Sequence, residues 1–202
     1  MATYQEQRER EYQNKLVKRF QDELGYQYLG NWQYAKGEAV NCLGKQNSPI
    51  LDDEVRKFLK DQKKDDGKTP RYTECQIEDV LFQLKSKARL GNAKMNDLMQ
   101  CNTDMYDTLM MGIKSQPDPK SNHEDVMLFD FEDFTNNNFA IAEEVSYIDP
   151  LLGKNKRPDI VVYVNGITLA VIELKRSLVN YEEGIKQHLS NERDFIPSFF
   201  TT

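Results

Sequence analysis

The chain has 202 residues, enough for one large domain with a substantial core. Its 27 basic and 33 acidic side chains leave a net charge of −6, which argues against nucleic-acid binding by bulk positive charge and leaves that role to a local patch or a partner. No stretch approaches the roughly 18 apolar residues of a membrane span, and the N-terminus has no apolar leader core. Cys42, Cys75 and Cys101 form no C-x-x-C pair and His123 and His188 are the only histidines, so no zinc constellation is expected. Three unpaired thiols fit a reducing cytoplasm.

In chain order, residues Tyr4–Leu24 read as a helix. Tyr12, Leu16, Phe20 and Leu24 recur at i+4, Val17 widens the stripe, and Gly25 is a natural stop. Tyr26–Trp32 reads as a short strand. A polar region from Gln33 to Asn122 follows, with helices expected over Asp52–Gln62, Thr73–Leu90 and Ala93–Ile113. Thr73 is placed to cap the second, whose Ile77, Val80, Leu81, Leu84 and Ala88 share one face. The run Lys60–Lys68 reads as a solvated turn because its charges nearly cancel. Ser115–Asp125, with two prolines, is a loop returning the chain to β structure. Strands are expected over Val126–Phe131 and Phe139–Ile148, divided by the turn-like TNNN, and a helix over Tyr181–Glu192. Helix, strand, helical insertion, several strands and a last helix define an α/β (α+β) domain with a mixed sheet.

The segment RPDIVVYVNGITLAVIELKRS (Arg157–Ser177) is the strongest local signal. Asn165-Gly166 between two β-branched runs predicts a hairpin, with strands Ile160–Val164 and Ile167 to about Leu174. Both runs are apolar throughout, as expected for strands covered on both sheet faces. Three charged residues interrupt this: Asp159 at the start, and Glu173 and Lys175 at the end. Glu173 and Lys175 point to one face of a strand. Buried charges are costly unless paired or coordinated. An edge salt bridge between Glu173 and Lys175 is one account, and a bound cation is the other. Two carboxylates about 4 Å apart repel by roughly 4 kcal/mol at an effective dielectric near 20. A divalent cation between them reverses the sign.

Register decides whether Asp159 and Glu173 meet. A strict two-residue turn pairs Val164 with Ile167 and so Pro158 with Glu173, leaving Asp159 on the other face. A shift of one residue brings Asp159 opposite Glu173 on one face, about 4–6 Å away. A three-residue loop with a bulge at Gly166, a bulge in the first strand, or an Asp159 lying before the ladder would each supply that shift.

Pro158-Asp159 followed by Glu173-x-Lys175 resembles the PD-(D/E)xK nuclease signature. The wider chain is similar to the N-terminal nuclease domain of the R (restriction) subunit of type I restriction enzymes. The resemblance runs through LGYQYLGNW (24–32), LMMGIKSQPDP (109–119), FAIAEEVSY (139–147), the hairpin, and EGIKQHLSNERDFIPSFFTT (183–202). It implies a restriction-endonuclease-like mixed sheet flanked by helices, spanning residues 1–202 with a mostly helical insertion over 33–122. It also implies metal-dependent hydrolysis of double-stranded DNA with Mg²⁺, or Mn²⁺ in its place, in the bacterial or archaeal cytoplasm. The resemblance makes Asp159 and Glu173 the metal ligands, Lys175 the catalytic lysine, and Gln187 a further catalytic residue on the following helix. In the related motif Q-x-x-x-Y the last position is Asn191 here. It also suggests a metal-approaching glutamate on the first helix, for which Glu9 and Glu11 are the candidates.

Arg157 and Arg176 are the candidates for contact with DNA phosphate, and Glu143 and Glu144 for an extension of the acidic cluster. Plain solvation is the simpler reading of all four. His188 reads as a packing or surface residue. Partners implied by the family are the methyltransferase (M) and specificity (S) subunits. ATP enters only through motor domains absent from this chain, which has no G-x-x-x-x-G-K-[ST] segment. The chain is therefore expected to be a fragment whose family members run on into another core strand. A different PD-(D/E)xK repair nuclease or resolvase, and an inert docking module of the restriction complex, are the competing readings.

Overall fold

The computed structural model describes residues 4–32, 50–88, 95–145, 147–148, 155–174 and 185–186. Helix α1 (Tyr4–Asp22) leads into strand β1 (Gln27–Asn31), and helices α2 (Asp52–Asp61), α3 (Glu74–Ala88) and α4 (Met95–Met111) follow. Short strands β2 (Ile113–Ser115) and β3 (Glu124–Val126) pair antiparallel as a ribbon. Then come β4 (Phe139–Glu143), a two-stranded ribbon of β5 (Tyr147–Ile148) and β6 (Asn155–Lys156), and the hairpin β7 (Ile160–Val164) and β8 (Ile167–Ile172). The main sheet has four strands in the order β1-β4-β7-β8. β1 runs parallel to β4 and the other two pairings are antiparallel, which makes this the mixed α/β fold expected.

Two expected strands differ from their reading: the first shares only Val126 with β3, which begins inside the stretch read as a loop (Ser115–Asp125), and the second ends at Glu143. Beyond Val126 the backbone leaves the ladder. Asp130 instead accepts from the amides of Glu132 and Asp133, and Asn137 binds both the amide and the carbonyl of Asp130. Short polar side chains that satisfy local backbone compete with a ladder. The strand from Phe139 breaks at Glu144, whose φ of 55° is left-handed. The Lys60–Lys68 turn is exposed as expected, with Asp66 accepting from the amides of Lys68 and Thr69. Thr73 caps α3 in a reciprocal box: its hydroxyl accepts from the Gln76 amide, and the Gln76 side chain accepts from the Thr73 amide. The last helix, read over Tyr181–Glu192, lies outside the described residues except for Ile185 and Lys186, which are helical.

Both faces of the main sheet are covered. Val17, with Leu16 and Phe20, packs from α1 onto Ile141, Ile160 and Val162. On the other face Trp32 and Leu51 pack with Tyr163, Val161 and Ala142. Helices α2–α4 form a larger cluster that takes in Val164 and Ile167 at the turn of the hairpin. The stripe on α1 is rotated from the one the apolar residues suggest: Tyr12 and Leu24 are more than half exposed, whereas Gln13 is buried.

The hairpin turn is enclosed. Asn165 and Gly166 both have positive φ, 50° and 82°, as a two-residue turn of the favoured hand requires. The buried Asn165 amide is saturated: its oxygen accepts from Asn138 N at 2.7 Å, and its nitrogen donates to Leu128 O at 3.0 Å and Asn137 Oδ1 at 2.8 Å. Gly166 O accepts from Leu51 N at 2.7 Å, which sets the start of α2 against the turn. A Cβ on Gly166 would lie 2.7 Å from Glu54 Cβ and 2.8 Å from Leu51 O. Gly166→Ala therefore combines a left-handed backbone with a clash against main chain. It should lower stability by about 2–3 kcal/mol, read as the denaturant midpoint with unchanged slope.

Candidate functional site

The hairpin register carries the shift that the acids need. Val164 pairs with Ile167 and Tyr163 with Thr168, as a two-residue turn dictates. Beyond that point the pairing slips: Val162 meets Ala170, Val161 meets Val171 and Ile160 meets Ile172. Leu169 is the extra residue, so the bulge lies in the second strand rather than in the turn or the first strand. Continued by one pair, this register sets Asp159 across from Glu173. Leu174 N donates to Asp159 Oδ2 at 2.5 Å, which ties the Asp159 carboxylate to the end of β8.

Neighbouring elements close around this point. Glu144 N donates to Asp159 O at 3.0 Å, extending the β4–β7 ladder one step past the strands. Trp32 N donates to Glu143 O at 2.8 Å and does the same on the β1 side. From α1, Gln13 Nε2 donates to Asp159 O at 3.1 Å and to Glu144 Oε1 at 3.4 Å. Arg10, one turn earlier on that helix, sets Nη1 3.2 Å from Glu143 Oε1 and 3.9 Å from Glu144 Oε1. The Tyr28 hydroxyl donates to Glu143 Oε2. Arg157 Nε pairs with Glu144 Oε2 at 2.8 Å.

The electrostatics follow from this enclosure. Burial pushes the Glu144 carboxyl above its usual range. Arg157 and the Gln13 hydrogen bond oppose the rise, the Asp159 charge adds to it, and Arg10 opposes it further. Glu143 is only 2% exposed, so solvation does not explain it. A buried carboxylate is tolerated because it is paired and hydrogen-bonded, here by Arg10 and Tyr28. Glu144 is likewise largely enclosed, and its left-handed backbone turns the chain so that these two successive acids both face protein.

Of the residues singled out in sequence, the structure brings Asp159 and Glu173 to one end of the sheet, and Arg157 pairs there with Glu144. Lys175, Arg176, Gln187, His188 and Asn191 lie outside the described residues. Glu11 is exposed, and Glu9 lies on the same face of α1 as Gln13, one turn away. The residue of α1 that reaches Asp159 in these contacts is Gln13. Its signal was a polar residue four before Val17 on what becomes the core face.

Among the described residues no set of three or more His, Cys, Asp or Glu side chains is gathered to hold a metal. Carboxylates such as those of Asp159 and Glu173 are the donor type that a hard divalent cation would take. Mg²⁺ takes oxygen ligands, is commonly bound through one or two carboxylates, and fills its remaining positions with water and substrate phosphate. Among the described residues no helix is long and apolar enough to cross a membrane.

A mixed four-stranded sheet flanked by helices, with Asp159 and Glu173 just beyond the same end of the β7–β8 hairpin, is an α/β domain consistent with a nuclease-like fold. The chain matches the family model for the type I restriction enzyme R protein N terminus over residues 6–202, and it belongs to that family. It is similar to a putative type I restriction enzyme MjaIXP endonuclease subunit of Methanocaldococcus jannaschii, 34% identical over 103 residues. That alignment takes in 47% of this chain and 10% of the relative, so the chain corresponds to a small part of that protein's length.

Tyr28→Phe removes a donor from the buried Glu143 while preserving the ring. It should cost about 1–3 kcal/mol of stability in urea denaturation. Tyr12→Phe, at a position 56% exposed, should be neutral by the same measurement.

Proposed function

We propose that this domain is the metal-dependent nuclease of a type I restriction enzyme R subunit, hydrolysing phosphodiester bonds of double-stranded DNA. The observation that carries the reading is the slip in the β7–β8 register at Leu169, because that register, carried one pair past Ile160 and Ile172, would bring Asp159 opposite Glu173. Membership of the R-protein family supports it, and the match over nearly the whole chain favours it over an unrelated repair nuclease or resolvase.

Asp159 and Glu173 are the residues that would hold Mg²⁺ or Mn²⁺. When bound, such an ion supplies Lewis acidity toward a phosphate oxygen and a more acidic water. The chain's own groups do the remaining work. Lys175 brings a positive charge next to Glu173, suited to stabilising anionic oxygens. Gln187 offers a side-chain amide that both donates and accepts, for orienting the lysine or a phosphate. Arg157, with its side chain 45% exposed, and Arg176 are the groups for DNA phosphate. A net charge of −6 gives little non-specific attraction to DNA. Delivery of the duplex therefore falls to the remaining parts of the enzyme: ATP-driven motor domains, and the methyltransferase and specificity subunits that choose the sequence.

Calorimetric titration of the 202-residue chain with Mn²⁺ should show binding that Asp159→Ala and Glu173→Ala each abolish. In the assembled enzyme those substitutions and Lys175→Ala should cut DNA cleavage by about 100-fold or more while ATP-driven translocation continues. Cleavage that survives loss of Glu173 would sink the assignment. Absence of any metal binding by the intact chain would favour an inert docking module.

A further inference from the structure

Resting on that reading of Asp159, we infer that Gln13 is a positioning residue: it fixes the backbone of Asp159 and thereby the direction of the carboxylate that takes the metal. Asp159 follows Pro158, which has no N–H to give to a ladder, and it precedes the first residue of β7. Its carbonyl is gripped by two donors, Glu144 N at 3.0 Å and Gln13 Nε2 at 3.1 Å. One donor belongs to the sheet. The other comes from a helix 146 residues away in sequence.

The chemistry of the position selects an amide. Gln13 is 4% exposed and faces two oxygens, Asp159 O and Glu144 Oε1. A side-chain amide supplies two N–H donors without adding charge. A glutamate there would offer no donor and would set a third negative charge beside Glu144 and Asp159. A lysine would add a positive charge next to two groups meant to attract a cation. The neighbouring Val17 packs onto Ile141, Ile160 and Val162, so the helix that carries Gln13 is seated on the same strands that carry the acids. Gln13 thus converts helix packing into the placement of one backbone carbonyl. Outer groups that orient metal ligands typically govern metal affinity by 10–100-fold.

Mn²⁺ titration of the 202-residue chain separates this role from simple core packing. Gln13→Met keeps the shape of the side chain and removes both donors. It should bind Mn²⁺ about tenfold or more weakly. Val17→Ala loosens the same helix through lost apolar contact and should lower the unfolding temperature while leaving Mn²⁺ affinity within about twofold of the parent. Should Gln13→Met fail to fold, Gln13→Asn, whose amide is one methylene too short to span the gap, is read in the same way. Unchanged Mn²⁺ affinity in the folded Gln13 variant overturns the inference, as does an equal loss in Val17→Ala. Failure of the parent chain to bind Mn²⁺ at Asp159 would instead overturn the nuclease reading on which it rests.

Discussion

Leu169 is the residue on which the functional end of this sheet depends. The pleat of a strand alternates faces, so a hairpin with a tight two-residue turn would keep Asp159 and Glu173 on opposite sides along its whole length. One unpaired residue in β8 shifts every pair beyond it, in the direction that would bring the two acids opposite each other. The turn itself is left undisturbed. It keeps the geometry its Asn-Gly sequence prefers, and the correction is made part-way along the second strand, between turn and site.

The two ends of the sheet are held by different means. At the turn, a saturated asparagine amide and the close approach of α2 enclose the backbone, and the neighbours are main-chain groups that cannot give way. At the other end the strands run out, and side chains take over from the ladder: Gln13, Arg10, Tyr28 and Arg157 converge on Glu143, Glu144 and Asp159. The turn end is fixed by the close approach of Glu54 Cβ and of the Leu51 and Val55 main chain, whereas the site end is fixed by charge and hydrogen bonding in partly enclosed surroundings. In such surroundings each polar contact is worth more than at the surface, and each missing one costs more.

The hairpin and its acids were legible in sequence because Asn-Gly, β-branched runs and isolated charges are local signals. The capping of α3 and the breaks around the helices were legible for the same reason. The bulge was not, since Thr168, Leu169 and Ala170 contain no glycine and nothing local distinguishes them from a regular strand. Gln13 escaped because apolar periodicity counts only apolar residues, and the core face of α1 is centred on a polar one. Glu143 looked like a solvated acid because its partners, Arg10 and Tyr28, lie more than a hundred residues away along the chain. The strand expected through Phe131 failed to Asp130 and Asn137, whose side chains offer the backbone a competing set of partners. Membership of the R-protein family, by contrast, was carried by dispersed segments read in order.

The contact between Gln13 and Asp159 spans 146 residues of a 202-residue chain. Contacts so distant in sequence form only after a large loss of chain entropy has been met by the structure between them. During synthesis the helix that braces the acids is therefore made well before the acids themselves. A partly synthesised chain holds the brace without its acidic partners, and one that loses its first helix holds the acids without the brace. The geometry at Asp159 is in this sense a late product of folding, completed only when two segments 146 residues apart have both been made and have met.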